Sequence, residues 1–163
     1  MGAPAIPARR SVEEDEDQTR CIAHLDDAVG EVFELMLRQR CALIDESPAA
    51  AMSISAKIVF SGTLEGQCMI QVSAVGADRL ADALLGSEGD WDEVMIDDAV
   101  GELCNMIAGG WKSRLGAPAS VCHLSMPAVS RGLASGWPDD ATTATRRFYE
   151  FNGTVLEVTL ALR

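Results

Sequence analysis

Residues 97–115 read DDAVGELCNMIAGGWKSRL. No proline interrupts the run, and Gly116 follows it, so the stretch is predicted to be a helix. At about 100° per residue, Asp98, Glu102, Asn105 and Gly109 fall in a band about 60° wide. Ile96, Val100, Leu103 and Ile107 fall on the opposite side, spread over less than about 70°. One stripe can therefore face a core. The other offers two carboxylates, a carboxamide and a position with no side chain.

A carboxamide presents one acceptor and two donors in a plane, so it can hold and aim a water molecule. A carboxylate three residues away shares the same face, about 5 Å along the axis, and can pair with a lysine on a partner. Hydrolysis of a phosphoryl group depends mainly on positioning and charge stabilisation. The stripe fits that task, and it also fits the wet side of any amphipathic helix.

On the N-terminal side, residues 76–85 are predicted to be a short helix ended by Gly86. Residues 52–61 alternate, with Ile54, Ala56, Ile58 and Phe60 on one face. Cys68, Ile70, Val72 and Ala74 alternate in the same way beyond Gly62 and Gly66, which predicts an antiparallel hairpin. Residues 19–40 carry Ile22, Leu25, Val29, Val32, Phe33 and Met36 at three- and four-residue steps, the pattern of a first helix. Residues 1–18 combine alanine, proline and an acidic cluster, and are expected to be a flexible tail turning helical near Val12.

On the C-terminal side, residues 119–127 are expected to hold a strand, and residues 128–143, with Trp137, a loop. Asn152-Gly153 between two β-rich runs is a strong hairpin signal. Leu156, Val158, Leu160 and Leu162 supply the core face of the last strand. The expected order is α-β-β-α-α-β-β-β: an α+β fold with helices packed on a largely antiparallel sheet. Residues 19–163 are expected to form one domain.

The net charge of −12 argues against a nucleic-acid backbone or an anionic membrane as partner, and suits a partner with a basic face. No run of about 18 apolar residues is present, so no membrane span is expected, and the chain reads as cytoplasmic. Five cysteines (Cys21, Cys41, Cys68, Cys104, Cys122) form no CxxC pair and read as reduced thiols. His24 and His123 lack ligand spacing, so no bound metal is expected.

The hexapeptide DDAVGE occurs at residues 26–31 and again at 97–102. Both copies lie on predicted helices that lead into β-rich sequence, which suggests two related halves about a pseudo-twofold axis. Three residues past the hexapeptide's glutamate, the second copy has Asn105 and the first has Glu34. A carboxylate cannot donate as a carboxamide does, so only the second copy is expected to carry chemistry.

Asp98-x3-Glu102-x2-Asn105, continuing Met106-Ile107-Ala108-Gly109, resembles the signature helix of the CheC/CheX/FliY chemotaxis phosphatases. Pro127 follows downstream as that pattern asks. Residues 31–37 and 60–66 are also similar to CheX-type members, and a single acid-to-asparagine motif suggests CheX rather than CheC. Where many members continue Ala-Gly-Asn-Ala-Lys, this chain has Ala108-Gly109-Gly110-Trp111-Lys112, and Trp111 is expected to pack on the core side.

The resemblance implies a CheC-like fold and hydrolysis of the aspartyl-phosphate of a CheY-type response regulator. It implies that Asn105 orients the attacking water and that Glu102 pairs with the regulator's lysine. Asp98, Gly109, Lys112 and Pro127 would contact the partner. The catalytic Mg²⁺ would belong to the phosphorylated regulator, with no cofactor bound by this chain. A homodimer is also implied. The alternative is a module that binds a receiver domain, or a flagellar or signalling partner, without turnover.

Overall fold

The computed structural model describes residues 12–45, 51–86, 89–116, 121–132 and 143–163. Helix α1 (Val12–Glu31) continues as a π-helical turn, Val32–Leu37, and stops at Arg38 in the left-handed conformation. Strands β1 (Ala42–Ile44), β2 (Ile54–Gly62) and β3 (Gly66–Val72) follow. Helices α2 (Ala74–Leu85) and α3 (Glu93–Arg114) come next, then β4 (Cys122–Leu124), β5 (Ala128–Arg131), β6 (Thr143–Phe151) and β7 (Thr154–Leu162). The result is an α+β fold with a seven-stranded sheet whose described pairings are all antiparallel.

Two corrections to the expected order follow. Strand β1 adds an element between the first helix and the first hairpin. Strand β5 occupies the start of the stretch expected to be a loop, and Thr143 at its end begins β6; residues 133–142, with Trp137, lie outside the described residues. The first helix begins at Val12, where the tail was expected to turn helical, and not at residue 19.

The strand order is β1-β6-β7-β3-β2-β4, with β5 also on β2. Hairpins β2–β3 and β6–β7 meet through β3 and β7 at the centre. Each hairpin then takes its outer neighbour from the far side of the sequence. Strand β1 lies on β6, and β4 and β5 lie on β2. Asn152 and Gly153 take φ of 45° and 70°, the left-handed pair that a two-residue hairpin turn requires.

The core face expected for β2 and β3 is buried at Ile54, Ala56, Ile58, Phe60, Cys68, Ile70 and Val72, but Ser55, Gln67 and Met69 on the other face are buried as well, and Ala74 opens α2 instead of continuing β3. In β7 both faces are buried, because the strand is central. Leu156, Val158 and Leu160 face the core, while Val155, Glu157, Thr159 and Ala161 are also shielded. The buried Glu157 carboxylate accepts hydrogen bonds from Arg146, with Nε at 2.9 Å.

Helix α3 packs over β2 and β3 and lies between α1 and α2. Its N-cap is Asp92, which accepts from the Met95 N–H at 2.9 Å. Trp111 is fully buried, 5.3 Å from the Phe60 ring, and donates its indole N–H to the Cys21 carbonyl at 3.1 Å. Its packing against the core is therefore what fixes the roll of α3 about its own axis. That roll decides which residues the helix shows to solvent.

Candidate functional site

With Val100, Leu103, Cys104, Ile107, Ala108 and Trp111 buried, α3 turns the opposite stripe outward. Asp98 and Glu102 are exposed, and Asn105 and Gly109 are half-buried. Among the described residues, no hydrogen bond or ion pair holds the side chain of Asp98, Glu102 or Asn105. The acid and the amide stand one helical turn apart with their polar atoms uncommitted. Around Gly109, among the described residues, no atom beyond its chain neighbours and the helix's own backbone lies within 4 Å of where a Cβ would sit.

The edge strand walls this ridge. It runs alongside α3 in the opposite direction. At one end Arg131 of β5 grips Asp97, with Nε–Oδ1 at 3.0 Å and Nη2–Oδ1 at 2.8 Å, and donates to the Glu93 carbonyl at 3.2 Å. Its hydrogen bond to Asp97 raises the Arg131 pKa. In the middle, Gly101 lies under Pro127 and Val129. A Cβ at residue 101 would come within 3.2 Å of Val129 Cγ2 and 3.4 Å of Pro127 Cγ. At the other end the Lys112 ammonium donates to the Cys122 carbonyl.

Of the six residues singled out in the sequence, Asp98, Glu102, Asn105 and Gly109 share the ridge. Pro127 lies beside it, in contact with α3 at Gly101. Lys112 is bonded to β4, where it ties the edge strand to the helix. Sequence reasoning missed Gly101 and Arg131. A glycine inside a helical run signals close approach and could have marked the first. Arg131 carries no local signal, since its partners lie more than thirty residues away.

The first DDAVGE copy is differently engaged. Glu31, at the position of Glu102, is paired with Arg114. Asp26 accepts from Arg147 Nε at 3.0 Å and from the Tyr149 hydroxyl at 2.5 Å. Burial pushes the Tyr149 pKa well up, and the hydrogen bond to Asp26 adds to the rise. Glu31 and Asp26 thus knit α1 to its neighbours, whereas Glu102 and Asn105 remain free to meet another molecule.

Residues 54–137 match the family described as "Chemotaxis phosphatase CheX", just over half of the chain. The chain belongs to the CheX family. No curated protein matches it. Solved structures of similar fold include the chemotaxis protein CheX from Desulfovibrio desulfuricans, with a TM-score of 0.74, 19% identity, and coverage of 88% of this chain and 99% of that one. CheX from Vibrio vulnificus is similar at a TM-score of 0.72 and 17% identity, covering 88% of this chain and 96% of that one. The CheX of a CheX–CheY–BeF3–Mg²⁺ complex from Borrelia burgdorferi has a TM-score of 0.63 and 23% identity, covering 87% of this chain and 97% of that one. At these identities the likeness shows the fold: helices on an antiparallel sheet, as in the CheC/CheX structures. No helix of the described residues is long and apolar enough to cross a membrane.

Proposed function

We propose that this CheX-family chain hydrolyses the aspartyl-phosphate of a CheY-like receiver domain, with Asn105 and Glu102 entering the receiver's site. The observation that carries the reading is the outward ridge of α3, where an acid and an amide stand one turn apart with no partner among the described residues. In a family of chemotaxis phosphatases, uncommitted groups at these two positions have a use.

The chemistry is an in-line displacement. The Asn105 carboxamide oxygen accepts a hydrogen from a water molecule and so turns a water lone pair toward phosphorus. The water oxygen bonds to phosphorus as the bond to the aspartate oxygen breaks, and the electron pair returns to the carboxylate. The water's proton passes to the departing phosphate or to solvent. Glu102 pairs with the receiver's lysine and fixes the docked orientation, which keeps the water in line with the phosphoryl group. Mg²⁺ sits in the receiver. Asp98, Gly109 and Pro127 form the surrounding contact surface, and Lys112 serves it by holding β4. Residues 19–163 act as one phosphatase domain, and the homodimer implied by the resemblance predicts a solution mass of twice the 17.4 kDa chain.

The test is dephosphorylation of a phosphorylated receiver with Mg²⁺ present. Asn105→Ala should abolish the acceleration while the melting curve stays in place. An Asn105→Ala protein as active as the wild type rejects the assignment. Wild-type binding with no faster loss of phosphate turns the reading to a non-catalytic receiver-binding module.

A further inference from the structure

We propose that Met126 is the apolar contact by which this face grips its receiver partner, a role that rests on the phosphatase reading above. The register of the edge strand supplies the first observation. Leu124 pairs with Phe60, and Ala128 pairs with Lys57. Four steps along the edge strand thus span three along β2. The extra residue makes a β-bulge over Ser125, Met126 and Pro127, and such bulges re-aim a side chain away from the ladder.

Both flanks of the bulge are pinned. The Ser125 N–H donates to the Val59 carbonyl at 2.9 Å, and the Val59 N–H donates to Ser125 Oγ at 3.0 Å. Ser125 Oγ–H donates in turn to the Met126 carbonyl at 2.9 Å. On the other side Pro127, which has no N–H to offer the ladder, rests on α3 at Gly101. Between these anchors Met126 is 86% exposed, more than any other large apolar residue described.

Its place matters as much as its exposure. The edge strand meets α3 at Gly101 through Pro127 and at Lys112 through Cys122. The backbone of Met126 lies between those two points, next to Pro127, which meets α3 at Gly101, the residue before Glu102. An unbranched, polarizable side chain adapts to a surface it meets. Its rigid bulge limits the entropy lost on docking. The partner that fits is a receiver domain with a shallow apolar recess beside the lysine that meets Glu102.

The experiment compares wild type, Met126→Ala and Met126→Lys on the phosphorylated receiver with Mg²⁺, alongside binding of the receiver activated with beryllofluoride. Met36→Ala, at an exposed methionine of the π-helical turn that follows α1, is the control. The expected result for Met126→Ala is a rise of about tenfold in KM and in Kd for the activated receiver, a larger rise for Met126→Lys, and kcat within about twofold of wild type, since uniform binding is what is lost. Melting curves should coincide. Unchanged KM and Kd in Met126→Ala overturn the proposal, as does a fall in kcat with KM unchanged. A wild type that binds the activated receiver without turnover removes the phosphatase reading, and the Kd of Met126→Ala then decides the present one. A wild type that does neither overturns both.

Discussion

Two glycines of α3 should respond in opposite ways to the same substitution. Alanine at a helix interior gains about 0.5–1 kcal/mol over glycine by restricting the unfolded chain. At Gly109 a Cβ meets nothing within 4 Å, so Gly109→Ala should show the whole gain. For a chain of this size that is a rise of about 1–4 °C in Tm. At Gly101 the new Cβ would lie 3.2 Å from Val129 Cγ2 and 3.4 Å from Pro127 Cγ. Those atoms belong to the edge strand, which Ser125 and Arg131 tether on either side, so strain of about 1–2 kcal/mol should offset the gain. Gly101→Ala should therefore be neutral or mildly destabilising, and the two variants should differ by about 1–2 kcal/mol. Urea unfolding of both, with the slope checked for constancy, measures the difference. If Gly101→Ala stabilises as much as Gly109→Ala, the edge strand is not held against the helix, and the argument for a rigid bulge fails with it.

Trp111→Ala should cost about 3–5 kcal/mol in denaturant unfolding, because a fully buried indole and its hydrogen bond to Cys21 are both lost. Arg131→Ala should cost under about 1 kcal/mol, since the pair with Asp97 is partly exposed, yet it should speed amide exchange in β5; restoration by an Asp97→Arg/Arg131→Asp swap would confirm the pairing, and unaltered exchange in the single variant would contradict it. Alkaline pH supplies another check. The Tyr149 pKa is raised in the folded state, so the folded chain holds that proton more tightly than the unfolded one. Its contribution is complete below the unfolded value of about 10 and declines as the pH climbs above it. Tyr149→Phe should flatten this alkaline limb relative to wild type in urea unfolding at stepped pH, with the raised pKa values of Cys21, Cys41 and Cys104 common to both proteins. An identical limb in the two proteins would refute the assignment.

The ridge was legible because it depends on helical period alone. Once Val100, Leu103 and Ile107 are assigned to the core, Asp98, Glu102 and Asn105 must face away. The two hairpins were legible for a similar reason, through alternation and through Asn152-Gly153. Strand β1 was not, because three residues are too few to show alternation and its partner in β6 lies about a hundred residues on. Strand β5 hides in a run of small and polar residues, and its place is set by β2 and by Arg131 rather than by its own propensity. Pro127 was found as a motif position, but the bulge that makes sense of it needs the register of β2, which no local pattern contains. The burial of Glu157 and Thr159 was likewise invisible, since it depends on neighbours such as Arg146 of β6 that no pattern within β7 contains.

The crossed placement of the outer strands has a mechanical consequence. Neither hairpin keeps company only with residues from its own end of the chain, so severing the polypeptide between α2 and α3 would strip a border from each piece at once. Loosening cannot then be confined to one side of the molecule, and α3, which follows the cut, packs on β2 and β3, which precede it. The outward ridge of α3 is therefore carried by an element that strands from before and after it both hold in place.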